Sequence, residues 1–228
     1  MGSMIEFARP DGGGTGGFLA LADKGAGGDR PSVIVIQEWW GLNDQICGVA
    51  DRFARAGYNA LAPDLYEGRV TQEPDEANHM MSGLDFPGAT HQDIRGAALH
   101  LQGLGSNGGG KVAVMGFCMG GALTIAAAVH VPEISVGVCF YGIPPAEFAD
   151  PAKITMPLQC HFANQDDWCT PQAVNELEAT LTTAGANAEI HRYDAAHGFF
   201  NETSETAYDA ASANLAWRRM SEFLAANQ

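Results

Sequence analysis

A short apolar run at residues 111–115 (KVAVM) leads directly into Gly116-Phe117-Cys118-Met119-Gly120, and the Ala-rich stretch Met119–His130 continues without a linker. No other segment restricts the fold so strongly. A strand that becomes a helix across so tight a turn needs small residues on either side of its central residue. The side chain of that residue, Cys118, is then held above the sheet edge at a helix N-terminus. The positive end of the helix dipole favours a thiolate there, which predicts a lowered thiol pKa. An inert cysteine buried in a glycine-rich turn is the plain alternative, and the strand–turn–helix context argues against it.

The rest of the chain repeats the same alternation. Residues 4–22 read as a hairpin, with segments 5–8 and 18–22 flanking a Gly-rich turn at 12–17. Ser32–Ile36 (SVIVI) is a continuous β-branched run, as expected of a strand buried on both faces. Asn43 is placed to cap a helix carrying Ile46, Val49, Ala50 and Phe53 on one face, and Gly57 ends it. Further strands are predicted at 58–62, 111–115, 135–140, 157–162 and 188–193, and helices at 91–104, 119–130, 171–184 and 205–225. The acidic, Met-rich stretch 66–88 reads as a loop with a short helix. Strands alternating with helices imply an α/β fold, a mostly parallel, doubly wound sheet with an N-terminal antiparallel hairpin. Residues 1–228 read as a single domain. Ligands of such sheets bind beyond the C-terminal ends of the strands.

Charge and cysteine usage narrow the function. The formal net charge is −15, with only 12 Lys+Arg, so neither nucleic acid nor an anionic membrane is an expected partner. Hydrophobic residues make up 46%, which excludes a disordered chain. Five cysteines with no CxxC pair point to reduced thiols in a cytoplasmic protein. The N-terminal stretch lacks a basic region followed by an apolar one, so no signal peptide is expected. No HxH or Cys/His cluster has ligand spacing, so no metal and no organic cofactor is expected.

Two further segments carry chemistry. His197 stands directly after the last predicted strand, in Asp194-Ala195-Ala196-His197-Gly198-Phe199-Phe200. An imidazole there is placed to take the thiol proton and return it to a leaving group. His79, His91, His100, His130 and His191 fall within predicted elements or at their ends, and His161 reads as a core histidine in a strand. Gln165-Asp166-Asp167-Trp168 follows the predicted strand at 157–162. An acid at that strand end orients the base, and either aspartate qualifies by position. Gln37-Glu38-Trp39-Trp40-Gly41 follows SVIVI. A site of this kind takes one oxyanion N–H from the residue after the nucleophile, Met119, and a second from this early loop, at Trp39.

Taken together these segments resemble the dienelactone hydrolase family, which has the α/β-hydrolase fold. The motifs are Gln37-Glu38-Trp39-Trp40-Gly41-Leu42-Asn43, Pro63-Asp64-Leu65-Tyr66, Gly116-Phe117-Cys118-Met119-Gly120-Gly121, Phe140-Tyr141-Gly142, His161-Phe162-Ala163-Asn164-Gln165-Asp166 and Ala196-His197-Gly198-Phe199-Phe200-Asn201. They occur in family order and span nearly the whole chain. The chain order Cys, Asp, His agrees with the nucleophile–acid–base order of α/β-hydrolases. The resemblance implies a Cys118–His197–Asp166 triad; an ungapped strand match favours Asp166, whereas counting back from Pro171 gives Asp167. It implies that Glu38 contacts the resting thiol and controls its ionisation, and that Tyr141 lines the pocket.

The chain departs from the dienelactone-cleaving members at both arginines that hold the substrate carboxylate. One position is Asn201, and the other falls in the arginine-free segment Thr71-Gln72-Glu73-Pro74-Asp75-Glu76. Trp39, Trp168 and Phe199 are expected to make an apolar pocket instead. The expected function is hydrolysis of small neutral esters or lactones through a thioester, by a monomer or small homo-oligomer. Hydrolysis of other activated electrophiles such as phosphotriesters is the alternative enzymatic reading. A catalytically idle binding protein, or a redox sensor using Cys118, is the alternative of another class.

Overall fold

β3 (Ser32–Ile36) is buried at all five positions. Its side chains alternate between two cores: Val33 and Val35 enter one, Ile34 and Ile36 the other. Each such side chain contributes roughly 1.5–3 kcal/mol on burial. A register slip by one residue would exchange the two sets between faces of different shape, so packing fixes the register. The structure, a computed structural model, describes residues 1–22, 30–104 and 110–228.

Eight strands form one sheet in the order β1-β2-β4-β3-β5-β6-β7-β8. They are β1 (Ser3–Ala8), β2 (Gly14–Ala20), β3, β4 (Asn59–Pro63), β5 (Val112–Phe117), β6 (Ile134–Phe140), β7 (Leu158–Gln165) and β8 (Ala188–Ala196). β1 pairs antiparallel with β2, and β2 antiparallel with β4. The pairings from β4 through β3 to β8 are parallel. The α/β class, the mostly parallel sheet and the N-terminal antiparallel pair agree with the sequence reading. The helices are α1 (Asp44–Arg55), α2 (Pro74–Ser82), the single turn α3 (Phe86–Gly88), α4 (Arg95–Gly103), α5 (Met119–His130), α6 (Pro171–Ala184) and α7 (Ala210–Asn227). Apolar side chains of α1 and α7 fill the core shared with Val33 and Val35, and those of α4 fill the core shared with Ile34 and Ile36. No helix among the described residues is long and apolar enough to cross a membrane.

Local signals set most boundaries. Asn43 caps α1 by accepting the Ile46 N–H at 3.1 Å, and Asp44 at the start with Arg52 and Arg55 at the end complement the helix dipole. Three boundaries differ from expectation. β2 begins at Gly14, inside the stretch read as a turn, because Gly16 and Gly17 pair with Glu6 and Ile5. A side chain at Gly17 would meet the Ala62 carbonyl of β4, so the glycine permits the strand pairing there. Helical structure before α4 starts earlier than 91, through α3 and a π-helical segment Ala89–Ile94. α7 begins later than 205, because Asp209 accepts the Ser212 N–H at 2.7 Å and caps it.

Candidate active site

The turn between β5 and α5 holds Cys118 at φ 55° and ψ −117°, a conformation that L-residues rarely adopt. Two contacts enforce it. The Cys118 N–H donates to the Phe140 carbonyl at 3.0 Å, and its own carbonyl accepts the Ala122 N–H at 3.1 Å. A side chain at Gly116 would strike the Gly120 carbonyl, and one at Gly120 would strike the carbonyls of Ile36 and Gln37. The glycines therefore let α5 start directly against β3 and β5. Backbone strain of this sort persists only where its surroundings over-determine it.

The other groups arrive from the C-terminal ends of the neighbouring parallel strands. Asp166 follows β7. Its Oδ2 accepts from His197 Nδ1 at 2.7 Å, and its Oδ1 accepts the N–H groups of Trp168 at 2.8 Å and Cys169 at 2.9 Å. Asp167, its neighbour, is exposed. His197 follows β8. With Nδ1 taken by Asp166, the buried Nε2 is the ring nitrogen left for the Cys118 thiol. The Cys118 thiol lies close enough that the two groups shift each other's ionisation.

Glu38, on the loop after β3, is 5% exposed. Its Oε1 accepts from the Tyr141 hydroxyl at 3.2 Å and its Oε2 from Asn201 Nδ2 at 2.9 Å. The Asn201 amide has no freedom to turn, because its Oδ1 accepts from the Thr203 N–H at 3.0 Å and the Thr203 hydroxyl at 2.7 Å. Tyr141 follows β6 with φ 36°, another strained position. Its ring meets those of His197 and Phe199 at centroid distances of 4.9 and 5.4 Å.

Burial raises the Glu38 carboxyl above its ordinary range, against the lowering pull of Asn201, His197 and Tyr141. Burial likewise raises the Cys118 thiol; the His197 hydrogen bond and charge oppose this, and the Glu38 charge reinforces it. The direction is opposite to the lowered pKa that the helix N-terminus predicts, because desolvation of the thiol outweighs the dipole and the Met119 N–H. His197 is pushed up to about 10: burial lowers it, but the hydrogen bonds to Asp166 and Cys118 and their charges win. For Asp166 burial acts upward, yet the His197 bond and the two backbone N–H groups hold the carboxyl below its usual value. Cys118 and His197 titrate as a pair: a proton on the imidazole favours the thiolate, and the thiolate holds that proton.

These groups line a cavity of about 520 Å³ that includes Glu38, Trp39, Cys118, Met119, Tyr141, Trp168 and His197. Phe199 requires correction: it is fully buried and stacks between Tyr193 and Tyr141 in the core, away from the cavity. Gly198, at φ 80°, reverses the chain after His197 and turns Phe199 inward. Trp40, Met81, Phe86 and Ile143 also line the cavity and were not anticipated. Met81, Phe86 and Ile143 come from segments distant in sequence and lack a motif, whereas Trp40 lies in the quoted motif beside Trp39. Asn201 was read only as a missing arginine; its bond to Glu38 carries no sequence signal.

Among the described residues no lysine or arginine lines the cavity. Arg95 is held in a bidentate pair with Glu133, Nη2 donating to Oε1 at 2.9 Å and Nε to Oε2 at 3.1 Å, and Arg69 lines a separate cavity of about 260 Å³. Among the described residues no group of three or more His, Cys, Asp and Glu side chains is arranged to hold a metal ion.

The sequence model of the dienelactone hydrolase family matches residues 16–227. The chain belongs to the dienelactone hydrolase family. It is 32% identical over 224 residues to Protein usf of Aquifex pyrophilus, covering 95% of each chain. A candidate dienelactone hydrolase of Klebsiella pneumoniae superposes with a TM-score of 0.81 at 26% identity, covering 99% of each chain. The dienelactone hydrolase-like promiscuous phosphotriesterase P91, from metagenomic libraries, superposes with a TM-score of 0.82 at 22% identity over 99% of this chain and 98% of that one; it shares the fold. As a dienelactone hydrolase family member the protein is a carboxylic ester hydrolase that acts on small molecules.

Proposed function

We propose that the protein hydrolyses small neutral esters or lactones through a thioester on Cys118. The observation that carries this reading is the Asp166–His197 bond of 2.7 Å beside Cys118, at the floor of an apolar cavity without a basic side chain other than the histidine. His197 takes the thiol proton as the sulfur attacks the carbonyl carbon. The developing oxyanion is received by the N–H of Met119, in the first turn of α5 where the helix leaves such groups unused, and by that of Trp39. Collapse breaks the carbon–oxygen bond, and His197 gives its proton to the departing alkoxide. Water, deprotonated by His197, then attacks the thioester and the thiolate leaves, releasing the carboxylic acid.

Substrate charge follows from the lining. Glu38 and Asp166 already place two carboxyls in and behind the site, and Asn201 spends its donors on Glu38. A substrate carboxylate entering here would lose its hydration with no lysine or arginine to compensate it and with Asp166 already paired to His197, which is costly. The test is a stopped-flow burst with an activated aryl acetate. Wild type is expected to show a burst of one equivalent and an added acetyl mass on Cys118. Cys118→Ala is expected to lose turnover by at least about 10³-fold, while Cys47→Ala and Cys160→Ala keep most of it. Full activity in Cys118→Ala would end the proposal, and no burst with no turnover in wild type would favour a binding or redox protein.

The anion-stabilising cavity, without lysine or arginine, also supports a second reading, attack on neutral phosphotriesters. P91 is described as having such an activity. Single-turnover kinetics with a matched carboxylic and phosphoric ester of the same phenol separate the two.

A further inference from the structure

We propose that Trp168 forms the subsite for an aromatic leaving group, so that the preferred substrates are esters of phenols and other aryl alcohols. The inference rests on the ester-hydrolase reading above and names its substrate class.

Trp168 is built in an unusual way. Its backbone N–H is bound at 2.8 Å to Oδ1 of Asp166, the same carboxyl group whose Oδ2 holds His197. The residue is thereby fixed relative to the imidazole, yet its side chain is 61% exposed at the cavity rim. An indole on an anchored backbone, left in water, offers apolar area that an incoming ligand can cover.

Its neighbours define the shape of that ligand. The Trp168 ring lies 6.4 Å from the His197 ring at an interplanar angle of 36°. It meets Trp39 edge-on at 5.6 Å and 72°, and Trp39 meets Trp40 at 4.9 Å and 64°. The three indoles form a continuous wall on the rim of the same cavity. Aromatic rings prefer offset or edge-to-face partners at about 4.5–7 Å between centroids, the geometry this wall already shows.

The wall lies on one particular side of the reaction. His197 is the group that protonates the departing oxygen, so the substituent on that oxygen sits beside His197. Trp168 is the aromatic residue joined to His197 through a shared carboxylate. In the proposed arrangement the acyl group lies on the other side of the carbonyl carbon, away from Trp168.

The experiment compares kcat/KM ratios, which cancels intrinsic differences in leaving-group reactivity. For 2-naphthyl acetate over ethyl acetate, Trp168→Ala is expected to lower the ratio about tenfold, equivalent to about 1.4 kcal/mol, mainly through KM for the naphthyl ester. Trp168→Phe is expected to restore most of it. For ethyl 2-naphthoate over ethyl acetate, where the ring is on the acyl side, the ratio is expected to stay within twofold. An unchanged naphthyl acetate ratio in Trp168→Ala would overturn the subsite. A larger fall for ethyl 2-naphthoate would move the aromatic group to the acyl side and overturn the assignment. A fall confined to acetylcholine over ethyl acetate would make the wall a cation site and overturn it too. Loss of turnover in Cys118→Ala is independent of all these outcomes, so failure of the subsite and failure of the triad are distinguishable.

Discussion

The adjacent pair Asp166 and Asp167 shows how a single side chain's direction decides chemistry. One carboxyl group is buried and accepts from His197 and two backbone N–H groups; the other is in solvent. Asp166→Asn is expected to lower kcat by about 10³–10⁴ through the wrong histidine tautomer, whereas Asp167→Asn stays within about twofold, as for an ordinary surface change; steady-state kinetics on a neutral ester measure both. The same variant reports the ion pair in the fold. His197 is raised to about 10, so its contribution is complete below 6.5 and fades as pH climbs through 10. Asp166 is depressed, so its contribution is complete above 3.8 and fades as pH falls through its lower folded value. The gap in urea midpoint between wild type and Asp166→Asn is therefore widest between pH 3.8 and 6.5 and narrows towards 10; a pH-independent gap would assign it to packing. The identities of Cys118, His197 and an aspartate at 166 or 167 were legible, because each stands at the end of a recognisable strand. Position alone left the two aspartates open, and the ungapped family match favoured Asp166, the one that meets His197. Phe199 was misread, because loop direction after a positive-φ glycine has no signature in residue type.

Among the elements, α6 was the easiest to read, because both of its ends carry a signal. Gly185 ends α6 at φ 69°, and Thr170 begins it by accepting the Ala173 N–H at 3.3 Å; the expected bounds of that helix match the observed ones. β2 was shortened in the sequence reading because glycine usually breaks strands, yet here Gly16 and Gly17 are ladder residues. The π-helical segment Ala89–Ile94 follows Phe86, whose carbonyl accepts the Thr90 hydroxyl at 2.9 Å; no periodicity foretells that widening. The elbow is where element and site meet. Gly120→Ala sets a methyl against the carbonyls of Ile36 and Gln37, so α5 must retreat from β3. Chemical denaturation is expected to show a loss of about 1–3 kcal/mol, with activity falling further than stability because Cys118 and Met119 move with the helix. Unchanged activity in a folded Gly120→Ala protein would mean that the site tolerates a displaced elbow.

At the scale of the molecule, two electrostatic effects act on a charged substrate and differ in range. The net charge of −15 repels anions over a distance that salt shortens. The cavity, whose lining holds no lysine or arginine, penalises them locally, by desolvation that salt does not screen. For a pair of isosteric esters, neutral and carboxylate-bearing, kcat/KM is expected to favour the neutral one by about tenfold or more, with most of the gap surviving at high ionic strength. Equal rates at high salt would leave only the long-range field. The two acids flanking the reaction also act on what it makes. The alcohol departs as it came, uncharged. The acid ionises on meeting water and must share the His197 proton with Glu38 beside it and Asp166 behind the imidazole. The cavity thus admits a molecule that it is poised to eject once cut: a turnstile whose direction is set by the charge that hydrolysis itself creates.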